Sequence, residues 1–111
     1  MDEHYEKYMM WSELYSKATI RLTLADDTKN LGILNSIKFA CDRIVNSELS
    51  KDEKLSTLKE MRTIYDGLIW PQSNYGIVGG VYYIDMCIEW QLYADSYLPD
   101  AVRRILSQYK D

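Results

Sequence analysis

The chain has 111 residues, a formal net charge of -4, 47% hydrophobic and 27% charged residues, and only five Gly and two Pro. Those values specify one ordinary globular domain over residues 1–111. They exclude two domains, a disordered chain, and bulk attraction to nucleic-acid phosphates, which relies on Lys and Arg displacing counterions. The acidic opening Met1-Asp2-Glu3 lacks the basic-then-apolar order of a secretory signal. The longest nearly uncharged stretch, Gly67–Ile84, is interrupted by Pro71, Gln72, Ser73, Asn74, Gly76, Gly79 and Gly80, so no membrane span is expected. Cys41 and Cys87 have neither CxxC nor metal-ligand spacing and read as reduced, buried small residues. A cytoplasmic location is the expectation that fits all three features.

In chain order, His4, Tyr8, Trp11, Tyr15, Ala18, Leu22 and Ala25 alternate steps of four and three, which predicts a helix from about Asp2 to Leu24. Asp27 or Thr28 then caps a second helix, about Lys29 to Asn46, whose apolar face carries Leu34, Ile37, Cys41 and Ile44. Ser50 and Glu53 match a capping box and start a third helix, Lys51 to Tyr65, with Leu55, Leu58, Met61 or Arg62, and Tyr65 inward; it ends at Asp66-Gly67. Trp70 before Pro71 opens a loop in which the ring serves as an anchor. Ile77, Val81, Ile84, Ile88 and Leu92 predict a fourth helix from Tyr75 to Tyr93 or Asp95.

Gly79-Gly80 oppose that helix by about 2 kcal/mol relative to two alanines, and Val81 to Ile84 are good strand formers. A short strand or a broken first turn is the alternative. Close helix–helix approach at the two glycines is the reading that leaves no strand unpartnered. Pro99 and Asp100 open a last helix with Val102, Ile105, Leu106 and Tyr109 inward. The resulting fold class is all-α, a single-domain bundle of about five amphipathic helices.

From Thr63 to Val102 there is no Lys or Arg, yet this stretch holds Asp66, Asp85, Glu89, Asp95, Asp100 and eight of the fourteen aromatic residues. Asp85 and Glu89 stand four apart on the fourth helix, framed by Tyr82, Trp90 and Tyr93. On one reading the acids point to solvent and the tyrosines half-bury their rings. On another, Asp66, Tyr82, Asp85, Glu89, Trp90, Tyr93 and Asp95 form a contact surface for a basic protein partner, the rings anchoring and the carboxylates steering. A glycosidase-like carboxylate pair would need a cleft that a small bundle rarely offers.

Other chemistry has little support. The one His, His4, would need Asp2, Glu3 or Glu6 to hold a metal, and it reads instead as a half-packed helix-start residue. No nucleophile–base pair can be built from it, and Gly76, Gly79 and Gly80 are not followed by the Lys-Ser/Thr of a phosphate loop. Lys51, Lys54, Lys59 and Arg62 are interleaved with Asp52, Glu53 and Glu60, the pattern of a solvated face rather than a nucleic-acid patch. No enzyme activity, cofactor or metal is therefore expected. Tyr5, Tyr8, Trp11 and Tyr15 read as core, with Met9 and Met10 a soft apolar edge suited to a dimer seam.

The Ser-Lys-Asp-Glu-Lys-Leu helix start at Ser50–Leu55, followed by the Gly- and aromatic-rich segment Tyr75–Asp85, resembles the small all-helical immunity proteins of bacterial contact-dependent and polymorphic toxin systems. The resemblance covers about a third of the chain. It implies a protein that covers a basic toxin's active site or an adjacent surface, with Asp66, Asp85, Glu89 and Asp95 as charged contacts and Tyr82, Trp90 and Tyr93 as anchors. A phage-encoded inhibitor and an oligomeric structural or regulatory bundle are the alternatives. Either a monomer or a homodimer fits the apolar stripes.

Overall fold

The structure is a computed structural model that describes the backbone of residues 2–69, 74–97 and 108, and their side chains apart from those of residues 95–97. Four helices occupy the described residues: α1 (Glu3–Leu24), α2 (Thr28–Val45), α3 (Lys51–Asp66) and α4 (Tyr75–Tyr97). The expected helix from Pro99 lies outside the described residues, as does the Trp70-Pro71 loop. No strand occurs among the described residues, and the Gly79-Gly80 segment is continuous helix.

Local chemistry explains the ends of these helices. Asp2 caps α1, accepting from the His4 and Tyr5 backbone N–H groups at 2.7 and 3.3 Å. The helix stops where Asp26 turns into the left-handed region at φ 52°. There Asp27 N–H reaches the Leu22 carbonyl and Asp26 N–H the Thr23 carbonyl, the paired closure of a Schellman motif, with Asp in place of the usual Gly. Asp27 then caps α2 through the Asn30 backbone N–H at 3.1 Å. Ser50 caps α3 through the Glu53 N–H at 3.2 Å. The Lys54 ammonium donates to the Val45 carbonyl at 2.9 Å, placing a cation at the negative end of α2.

α4 is the centre of the fold and packs against all three other helices. Pairings along it run antiparallel to α1 (Tyr5 with Tyr93, Tyr15 with Tyr83) and parallel to α2 (Asn30 with Gly76, Asp42 with Tyr83), while Arg62 of α3 meets Asp85. Its buried residues, Ile77, Val81, Tyr83, Ile84, Cys87 and Ile88, mesh with Ile37 and Cys41 of α2 and Leu55 and Leu58 of α3. α4 carries apolar side chains on several sides rather than in one stripe, with Asp85 and Glu89 among them, as suits a helix packed against three others. None of the described helices is long and apolar enough to cross a membrane.

Glycine makes the enclosure possible. A Cβ on Gly76 would collide with the Asn30 carbonyl, one on Gly79 with Leu34, and one on Gly80 with the Ile37 side chain, whose Cβ is 3.0 Å from that position. The three glycines lie at i, i+3 and i+4, one face of α4, and they seat α2 backbone-close. Asn30 bridges the same junction. It donates to Asp27 at 2.7 Å through its amide and accepts the Gly76 N–H at 3.0 Å.

Candidate interaction surface

Below the glycine seat, α1 and α4 are joined by rings. Tyr15 meets Tyr83 at 5.0 Å between centroids, Trp11 stacks on Tyr82 at 5.9 Å, Tyr8 meets Trp90 at 5.1 Å and Tyr5 meets Tyr93 at 5.2 Å. Trp90 and Tyr93 also touch one another, at 5.4 Å. The α1 stripe expected to be core is therefore an inter-helix seam of aromatic pairs, three tilted and one stacked, arrangements that suit the ring quadrupoles.

Two acids of this segment turn inward toward side chains supplied by other helices, Arg62 and His4. Asp85 is buried, and its Oδ1 accepts from the Arg62 Nε at 2.8 Å. Its Oδ2 is buried with no hydrogen-bond partner among the described residues. Burial pushes the Asp85 carboxyl above the ordinary carboxylate range; Arg62 opposes that shift, and the negative charges of Glu89 and Asp66 reinforce it. Glu89 places its Oε2 2.6 Å from the His4 Nδ1. Neither sequence reading of the pair anticipates this arrangement, in which the acids face α3 and α1 instead of solvent or a partner.

The remaining predicted surface residues divide sharply. Asp66 is exposed at the last turn of α3. Tyr82 and Tyr93 are half-buried, and Trp90, at 41%, is the exposed large ring of the group. The Asp95 side chain lies outside the described residues. The surface this leaves is an aromatic rim of Trp90, Tyr93, Tyr8 and Tyr5, with Glu89 paired behind it.

Beside that rim a crevice of about 170 Å³ opens between α1, α2 and α4, lined by Tyr8, Asp42, Tyr83, Met86, Cys87 and Trp90 among others. Asp42 accepts a short hydrogen bond from the Tyr83 hydroxyl and pairs with Lys38 at 2.9 Å. Burial opposes ionisation of Asp42, but the Tyr83 hydroxyl and Lys38 outweigh it and hold the carboxyl below its ordinary range. Burial and the same hydrogen bond push the Tyr83 hydroxyl far up, so it stays protonated and donates to Asp42. The Cys87 thiol is likewise held protonated, by the neighbouring Cys41 thiol and by burial. Sequence reasoning missed this group, although the i,i+4 spacing of Lys38 and Asp42 was a readable signal. Among the described residues no group of three or more His, Cys, Asp or Glu side chains could hold a metal ion.

Compared with known protein families, curated proteins and solved structures, the chain matches none. The functional reading therefore rests on its own residues.

Proposed function

We propose that the chain is a small acidic protein-binding protein without catalytic activity, which neutralises a basic protein partner in the manner of a toxin immunity protein. The observation that supports this reading best is the state of Trp90. Its ring is exposed yet held by Tyr8 and Tyr93. An aromatic side chain fixed before contact loses little rotamer freedom on binding, which is the property of an interface anchor. The formal charge of -4 steers a basic partner toward the molecule as a whole. Asp66 is an exposed charge available for contact, whereas Asp85 and Glu89 have internal duties and contribute mainly by holding the rim in place.

A toxin gene next to the coding sequence would supply the partner to test. Co-purification with its product, followed by titration against Trp90→Ala, is the experiment. The reading expects a loss of affinity of about 2 kcal/mol or more, the level of an interface anchor, with folding unchanged. Binding that is undiminished by Trp90→Ala would remove this surface from the account. An oligomeric structural or regulatory bundle is the competing reading, favoured by the exposed apolar groups on α1.

A further inference from the structure

We propose that the outer face of α1 docks a second copy of this chain, α1 against α1 and antiparallel, in a twofold dimer. At 100° per residue, Tyr5, Met9, Ser12, Ser16, Ile20 and Leu24 fall within a sector of about 120°. Tyr5 lies at the edge of that sector nearest the ring seam, where it meets Tyr93, while the remaining positions face away from the seam, and Ile20 and Leu24 are 56% and 82% exposed. Its apolar and small residues run apolar, apolar, small, small, apolar, apolar along the helix, with Glu6, Glu13 and Thr23 also falling in the sector. A twofold axis midway along α1 sets Tyr5 opposite Leu24 and Met9 opposite Ile20 of the second copy, and the small serines let the two backbones approach at the middle.

Charge identifies the occupant. On the same side of α1, Glu6 and Glu13 occupy the N-terminal half and Lys17 and Arg21 the C-terminal half. A uniformly basic partner would be repelled at Lys17 and Arg21, and a uniformly acidic one at Glu6 and Glu13. The face is complemented by a surface bearing both signs in reverse order over about 33 Å, the length of a 22-residue helix. Antiparallel α1 of a second copy is such a surface, and it brings Glu6 near Arg21 and Glu13 near Lys17 in both directions. Within each copy, Glu13 already pairs with Lys17 at 3.1 Å, which holds both side chains on this face.

Sedimentation equilibrium of the full chain from about 1 μM to 1 mM tests the proposal, because these concentrations bracket the affinities of weak and moderate dimers. The mass should rise from 13.1 kDa toward twice that value. Met9→Glu and Ile20→Glu, both at exposed positions, should each weaken the dimer at least tenfold while circular dichroism stays helical. Glu13→Lys should also weaken it at least tenfold, and adding Lys17→Glu should restore it, since the double exchange recreates the 13–17 pairings with signs reversed. Under oxidation, chains carrying Met9→Cys should cross-link to chains carrying Ile20→Cys, and Met9→Cys chains alone should not cross-link to one another. A single 13.1 kDa species throughout, or a dimer indifferent to Met9→Glu and Ile20→Glu, would overturn the proposal.

Discussion

The two halves of α4 meet their neighbours by opposite means. Toward the N-terminus, Gly76, Gly79 and Gly80 present bare backbone to Asn30, Leu34 and Ile37 of α2. Toward the C-terminus, Tyr82, Tyr83, Trp90 and Tyr93 reach rings on α1, while Asp85 and Glu89 reach Arg62 on α3 and His4 on α1. One central helix can thus be enclosed by close approach where side chains are absent and by large paired side chains where the gap is wider. Arg62 and His4 approach these acids from flanking helices with side chains that remain 41% and 35% exposed.

The largest expected effect lies in the glycine half. Gly76→Ala gains about 1 kcal/mol of helix propensity but drives a methyl into the Asn30 backbone, an overpacking cost of about 1–3 kcal/mol before the lost Gly76–Asn30 geometry is counted. Urea unfolding should show a net loss of stability. Gly32→Ala, on a turn of α2 with nothing near its Cβ position, should instead gain about 1 kcal/mol. Equal effects at the two sites would mean that α2 and α4 do not approach as described.

In the charged half, Arg62→Ala should cost about 1–2 kcal/mol, because it leaves a buried carboxylate unpaired, with the partial exposure of Arg62 moderating the loss. The same change in an Asp85→Asn background should cost distinctly less. A double-mutant cycle reads that difference, and additivity would dissolve the proposed pair.

A smaller effect separates Asp85 from Asp42 by pH. The Asp85 carboxyl is shifted up, so the folded state binds its proton more readily than the unfolded chain, and stability rises slightly as acidification passes through the raised value. Asp42 and Asp27 are shifted down, so their stabilisation is complete above the ordinary carboxylate pKa and is lost as pH falls through the depressed values. Stability followed from neutral to acid should therefore climb and then drop. Asp85→Asn should abolish the climb, and Asp42→Asn should lessen the drop.

The helices themselves were legible because their signals are local. Ser50 and Glu53 announced α3, Asp27 capped α2 as expected, and the Gly79-Gly80 pair marked close approach within a helix rather than a strand. The surface was harder to read because spacing states which residues share a face and not which face another helix covers. Asp85 and Glu89 do share a side of α4, but α3 and α1 arrive there carrying Arg62 and His4 from 23 and 85 residues away. Arg62 stood as an alternative to Met61 on the inward face of α3, and its role as a counter-ion emerged only when α4 was placed beside it.

Native-state hydrogen exchange along α4 tests the central claim most directly. If α4 is enclosed on three sides, amides from Ile77 to Ile88 exchange only through global unfolding, with protection equal to the stability from urea denaturation, while amides near the start of α1 open more cheaply. Exchange of the Ile77–Ile88 amides by local opening, at free energies well below the global value, would contradict the account.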